Sequence, residues 1–460
     1  MRAFVIDIIT SINMSVSIII AFIVFLFLVC KKSIKDRLSK TVIYSYLGVW
    51  AIAFITSALR LYGLYAVSDY TMILLMIHVL AFTVGFLAFR IPKDCAVQIN
   101  MKEIEPQVEK LYNQVWFKVI IIVSTIIMMF FFSMFYTVIA VKDLAEIRGD
   151  YYDDALYGPF FGSIKEFVFT PVSLILLPLF AYSSYYKRDW IWLLMGLFLL
   201  ASMTLSGGRL GYVRMVVMLF FVIVCIFNGI KNKLKFLFIS IVTALALFFI
   251  LAVITASRFG GKFSDNVKDG AEMTLQQMTE YVEMPVGAFN YALENDYLGQ
   301  MGGYSYGRLT FCSVEAIAYS VLGKVGITVR RYVGDLAPLQ QGHLIPIADE
   351  EQTWNALYTA VLYYYLDLGV VGVILFPFFF GWLLRFFIKK LYYLRNVSMI
   401  IIVATLFYKV LISVLQFGMG SHVELIVLVL LYYFANKANT EYLASKNNFY
   451  DLYTKKDVQA

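Results

Sequence analysis

WNALYTAVLYYYLDLGVVGVILFPFFFGWLLRFFI, residues 354–388, decides the fold. The run is almost continuously apolar. As one helix rising 1.5 Å per residue it would far overshoot a hydrocarbon core about 30 Å thick. Asp367-Leu368-Gly369 interrupts it. The sequence therefore predicts a short helix or partial re-entry over residues 354–366 and a true span from about 369 to 388. Broken backbone at such depth survives only where protein or a wet cavity satisfies its polar groups, so the break is expected to line a cavity.

Outward from this stretch the same rule, roughly 20 apolar residues per crossing, cuts the chain into spans near 12–30, 41–65, 70–89, 116–140, 167–186, 190–206, 211–229, 236–256, 397–416 and 422–436. With the span at 369–388 that makes an all-α integral membrane protein of about eleven transmembrane helices. Residues 1–460 form a single polytopic domain. Of these 460 residues 61% are hydrophobic and only 15% charged, and the mean hydropathy is +0.76, too apolar for a soluble globular chain. The net charge of +7 sits in short connections between apolar runs, as in cytoplasmic loops facing anionic lipid. Nucleic acid is excluded as a partner on that ground.

Basic residues near span ends resist translocation. Lys31, Lys32, Lys35, Arg37 and Lys40, then Arg90 and Lys93, Lys187 and Arg188, Lys231, Lys233 and Lys235, and Lys389, Lys390 and Arg395 all fall on one side if spans alternate. That side is read as the cytoplasm, with the amino terminus outside and the carboxy-terminal tail inside. The outer side then holds loops at 141–166, 206–211 and 417–421 and a large loop at 257–353. The large loop has amphipathic stretches at 275–281 and 314–322, expected to lie at the membrane surface. The first apolar run is followed by Lys31 and Lys32 rather than a small-residue cleavage site, so it reads as a retained span. Four scattered cysteines imply neither a disulfide framework nor a thiolate metal site.

Candidate chemistry gathers on the outer side. Ser206-Gly-Gly-Arg209-Leu-Gly211 opens a span, and flexible glycine backbone beside a guanidinium suits a phosphate oxyanion. The bland alternative is a snorkelling arginine at a tight turn. Arg214, one turn further on, favours the anion site, because two cations at one outer mouth are costly unless something anionic docks there. Arg258, in Arg-Phe-Gly-Gly-Lys262, and Arg308 add cations that are individually ordinary but collectively surprising on a translocated surface. His343, near Asp349-Glu-Glu351, is a possible general base or part of a solvated acidic turn. One histidine among carboxylates makes no metal site, and no cofactor motif is present. His78 reads as a packing residue, His422 as interfacial, and Lys409 as a snorkelling residue. Asn355 and Tyr358, read as helical, lie one turn apart on one face and would orient a sugar. Asp367 is either a deep acid or the cap of the helix that follows Gly369.

The order of these features, Ser206-Gly-Gly-Arg209 opening a span, Tyr304-Ser-Tyr-Gly307-Arg-Leu-Thr-Phe311 in the large outer loop, Asn355-Ala-Leu-Tyr358-Thr, Asp367-Leu-Gly369-Val-Val-Gly372 and then Gly381, resembles the Wzy-type O-antigen and capsule repeat-unit polymerases. The resemblance is most specific over residues 200–385. It implies a metal-independent glycosyltransferase at the outer face of the cytoplasmic membrane that polymerises undecaprenyl-pyrophosphate-linked oligosaccharide repeat units. His343, Asn355, Tyr358 and Asp367 would be catalytic, and Arg209, Arg214, Arg258 and Arg308 would hold pyrophosphate. A chain-length regulator and a flippase are the partners such a family implies. An O-antigen ligase-like transferase and a lipid-linked oligosaccharide flippase remain alternatives. A transporter would place charges deep in several helices and often show inverted repeats.

Overall fold

Long apolar runs have one open-chain solution in lipid, because every backbone N–H and C=O must find a partner within its own segment. The computed structural model of the chain describes residues 2–60, 65–92, 99, 101–139, 160–186, 188–205, 210–226, 283–327, 330–341, 345–346, 353–354, 357–417 and 421–437. Most of these residues are helical, and among them seven helices are long and apolar enough to cross a membrane. The protein is thus a multi-pass, mostly helical membrane protein.

In chain order come α1 (Arg2–Ser33), α2 (Arg37–Leu59), α3 (Asp69–Ala88), α4 (Met101–Asn113) and α5 (Val115–Ile139). Next, α6 (Phe160–Ile164) runs through a π-helical stretch (Lys165–Phe169) into α7 (Thr170–Tyr186). Then follow α8 (Trp190–Thr204) and α9 (Leu210–Phe220), the latter ending in a second π-helical stretch (Phe221–Ile226). Residues 283–354 contribute α10 (283–294), α11 (Tyr297–Gln300), α12 (Cys312–Lys324), α13 (Tyr332–Gln341) and the strands β1 (Ile345–Pro346) and β2 (Thr353–Trp354). The chain closes with α14 (Ala360–Leu394), α15 (Val397–Leu411) and α16 (422–437). The expected span at 236–256 lies outside the described residues. The other expected spans fall on helices, of which α8, α9, α15 and α16 are shorter than the roughly 20 residues of a full crossing, while α7 reaches that length together with the π-helical stretch and α6 before it. The expected surface helix at 314–322 lies within α12, and the one at 275–281 lies outside the described residues.

Polar residues stop and start the helices. Asp36 accepts from the backbone N–H of Ser39 at 2.9 Å and Asp189 from that of Trp192 at 3.0 Å. Asn396 does the same for Met399 at 2.9 Å. Each satisfies an N–H that a helix start leaves unpaired. No unbroken apolar run announces α4. It buries Ile104, Val108 and Tyr112 and exposes Glu103, Glu109 and Lys110, a one-sided pattern that suits an interfacial helix.

Contacts between helix ends sort them into two faces. On one, Arg385 of α14 pairs with Asp36 at 3.3 Å and donates to the carbonyl of Phe89 at 3.1 Å. Arg395 pairs there with Glu103 of α4 at 2.9 Å, and Asn396 donates to the carbonyl of Ala435 at 3.2 Å. On the other, Asn290 accepts from the backbone N–H of Ser68 at 3.0 Å and from the hydroxyl of Thr71 at 2.8 Å. His422 meets Glu166 there at 3.3 Å.

α3 and α14 cross closely. A Cβ on Gly85 would lie 2.0 Å from the carbonyl oxygen of Phe378, and one on Gly381 would lie 2.2 Å from that of Phe82. Small residues that let backbones touch are how helices gain packing energy in lipid, where apolar side chains gain nothing by leaving it.

The decisive stretch differs from its sequence reading in two respects. Residues 353–354 pair antiparallel with β1, Ile345 opposite Trp354 and Pro346 opposite Thr353, so the helix starts at Ala360 and not at 354. The break is where it was expected: Leu368 (φ −146°, ψ 20°) and Gly369 (φ 61°, ψ −142°) leave the helical region. A side chain at Gly369 would meet a positive φ and the hydroxyl of Tyr304, 2.9 Å from its Cβ. Protein rather than a wet cavity satisfies the freed backbone. Ser305 N–H donates to the carbonyl of Leu366 at 3.1 Å and Tyr306 N–H to that of Asp367 at 3.0 Å.

Candidate functional site

Three charged side chains from three helices converge at the face that carries α10–α13. Arg214 enters from the first turns of α9, Lys409 from the end of α15 and Glu424 from the start of α16. Glu424 lies 3.5 Å from Arg214 Nη1 and bonds Lys409 Nζ directly. The guanidinium stands 5.6 Å from the ring centroid of Tyr408. Its Nε and Nη2 are closed to solvent and have no acceptor among the described residues. Charges buried between membrane helices are costly and mark functional sites in membrane proteins. An arginine with two nitrogens that no described residue engages is an incomplete fork for a planar or tetrahedral anion.

Beside this cluster, on the same face, lies a polar cavity of about 370 Å³ lined by Glu166, Cys312, Arg331, Tyr363, Phe417 and His422, among others. Its size falls within the range of small-molecule sites, about 300–1,000 Å³. Phe417 also lines a smaller cavity of about 20 Å³ whose wall includes Lys409, His78 and Tyr46. The aromatic ring thus stands between the larger cavity and the charged cluster's lysine. Burial pushes the Cys312 thiol up to about 11. It therefore stays protonated near neutral pH and is a poor nucleophile there.

The sequence-derived candidates divide into three groups. Arg209, Arg258, His343 and Asn355 lie outside the described residues. Arg214 sits in the cationic cluster, as just described. Arg308, Tyr358 and Asp367 are held within residues 283–358 or against them. Arg308 pairs with Glu315 at 2.6 Å, donates to the carbonyl of Arg330 and lies 4.6 Å from the Tyr332 ring centroid; none of these partners is shared with Arg214. Tyr358 is 1% exposed and its hydroxyl lies 3.2 Å from that of Tyr297, which donates to the carbonyl of Leu339 at 2.9 Å. Burial drives the Tyr358 hydroxyl far above its ordinary range. Tyr358 precedes the helix, which begins at Ala360, and its expected place one helical turn from Asn355 falls on residues outside the described ones.

Asp367 is fully buried, and its carboxylate is saturated. Oδ1 accepts from the backbone N–H of Leu309 at 3.0 Å and from the hydroxyl of Ser305, and Oδ2 accepts from the N–H of Thr310 at 2.7 Å. It fastens the 304–310 turn to the break in α14 instead of capping the helix after Gly369. His78 is a packing residue as expected, 2% exposed with Nε2 3.1 Å from the Tyr46 hydroxyl.

Two constellations escaped the sequence reading. Glu424 was readable in principle, as an acid inside the apolar run HVELIVLVL, which is a functional signal in its own right. The Glu166–His422 pair was not, because nothing local links residues so far apart in the chain. Among the described residues no three His, Cys, Asp or Glu side chains gather as a metal site would require. No family model, curated protein or solved structure matches the chain.

Proposed function

We propose that the protein polymerises undecaprenyl-pyrophosphate-linked oligosaccharide repeat units at the outer face of the cytoplasmic membrane, as a metal-independent glycosyltransferase. The observation that carries this reading is Arg214. Two of its nitrogens are buried with no partner among the described residues, beside Lys409 and Glu424, and Glu424 lies two residues along α16 from His422, which lines a sugar-sized polar cavity. A lipid-borne diphosphate is an anion delivered at the membrane. Its departure from an anomeric carbon generates negative charge that fixed cations stabilise. The resemblance of residues 200–385 to Wzy-type polymerases supports the same chemistry. It makes Arg209, Arg258, His343 and Asn355 further candidates, and a chain-length regulator and a flippase candidate partners.

Deleting the gene separates this reading from its neighbours. A polymerase leaves surface glycan of single repeat units, a ligase-like transferase leaves long unattached lipid-linked chains, and a flippase leaves lipid-linked units on the cytoplasmic side. The first outcome is expected.

Orientation follows the basic loops, with the outer segment translocated and the tail inside. A cysteine placed at Tyr306, which is 74% exposed, is expected to react with a membrane-impermeant maleimide in intact cells. One placed at Lys437 is expected to react only after lysis. The reverse pattern would invert the topology.

A further inference from the structure

We propose that His422 is the general base of this transfer and that Glu166 is its positioning residue, with the acceptor sugar hydroxyl bound in the 370 Å³ cavity between them and Arg331. The proposal rests on the function just given and adds to it the group that takes the proton.

The cavity wall offers few candidates for that role. Arg331 cannot accept a proton at any relevant pH. Cys312 is held protonated by burial. The Tyr363 hydroxyl donates to Gln340 Oε1 at 3.3 Å, and its ring stacks on Phe417 with centroids 4.7 Å apart, leaving it a flat apolar wall. Glu166 and His422 remain, and they face each other: His422 Nδ1 lies 3.3 Å from Glu166 Oε1. A carboxylate on Nδ1 fixes the tautomer that leaves Nε2 unprotonated and holds the ring in one orientation. The ring of Phe167 stands edge-on to the imidazole at 6.1 Å, so both partners of the histidine come from the π-helical stretch Lys165–Phe169. Such irregular turns often accompany functional sites. An exposed ion pair alone would carry little weight. Here the pair lines the cavity, and Phe417 separates that cavity from the one lined by Lys409 of the charged cluster.

The step balances without a further reactant. The acceptor hydroxyl oxygen attacks the anomeric carbon of the lipid-linked glycan as its proton passes to His422 Nε2. The bond from anomeric carbon to diphosphate oxygen breaks, and its electron pair leaves with the lipid diphosphate toward Arg214 and Lys409. The imidazolium returns its proton to water before the next turnover.

The test uses the full-length protein in detergent and lipid-linked repeat units extracted from the deletion strain. His422→Gln is expected to lower kcat about 100-fold or more, the usual worth of a positioned base, with KM for the lipid-linked unit within about threefold of wild type. His422→Ala should regain activity when free imidazole is added, which a merely structural histidine would not allow. Glu166→Gln should lower kcat about tenfold, Glu166→Asp should recover most of that loss, and Glu166→Gln should cost nothing more in the His422→Ala background. A His422→Gln protein within threefold of wild-type kcat would overturn the proposal. So would a His422→Ala protein that elutes like wild type, is inactive and is not revived by imidazole. Wild-type protein that forms no polymer from these units would instead overturn the function itself, and the base assignment with it.

Discussion

Arg214→Lys should yield a protein that accumulates normally in the membrane yet polymerises about 100-fold more slowly, the scale on which one directed donor to a developing anion matters. Lysine keeps the positive charge opposite Glu424, so the ion pair at 3.5 Å is preserved in kind. It does not keep the two nitrogens of Arg214, Nε and Nη2, that have no acceptor among the described residues, and their N–H groups are what a diphosphate oxygen would use. A point ammonium also loses the planar fork. Glu424→Gln is the informative contrast. It leaves Arg214 and Lys409 facing each other without the carboxylate that both contact, and stripping one partner from a buried ionic cluster commonly costs about 3–5 kcal/mol. That variant should be scarce, whereas Arg214→Lys should be abundant and slow. Protein level by immunoblot and glycan length by gel separate the two. Full-length polymer from Arg214→Lys at normal protein level would mean that the free N–H groups serve no ligand, and the diphosphate site would have to lie elsewhere.

The division between what the sequence disclosed and what it did not follows from range. Spans were legible because a crossing is a local property: apolar length alone specifies the helix, and α2, α3, α5, α7, α14 and α15 fall where the apolar runs place them. The break at Leu368–Gly369 was legible for the same reason. An acid and a glycine inside an otherwise continuous run cannot both be accommodated by an unbroken helix. The identity of what fills the break was not, because the donors to Asp367 come from Ser305, Leu309 and Thr310, about sixty residues upstream. The charged cluster shows the same limit. Arg214 and Lys409 each looked like a cation near a span end, for which snorkelling is a sufficient account. Their common partner Glu424 is what removes that account, and helix pairing rather than sequence spacing brings it there. The amphipathic α4 was overlooked because a search tuned to unbroken apolar runs passes over a helix that is polar on average and apolar on one face only.

Asp367→Asn tests whether the second carboxylate of the sequence reading does chemistry or holds the site's roof. A carboxylate whose oxygens already accept three donors and that is closed to solvent has no route to a substrate proton. Its work is to fix the 304–310 turn over the break in α14. Asparagine can keep an oxygen at the Oδ1 position, preserving the bonds from Leu309 and Ser305, but then its NH₂ opposes the N–H of Thr310. Turned the other way it loses the other two. Either arrangement leaves a buried donor unmatched, a cost of about 1–3 kcal/mol, and weakens bonds that were charge-assisted. The expected result is a clear fall in the thermal midpoint of the detergent-purified protein, with kcat per folded molecule within about threefold of wild type at a temperature where the variant remains folded. Ser305→Ala removes one of the same donors without touching the carboxylate, so a roof-holding role predicts a smaller shift in the same direction. If Asp367→Asn instead keeps the wild-type midpoint and loses activity about 100-fold, the carboxylate is acting on substrate. The turn would then have to open during turnover to expose it.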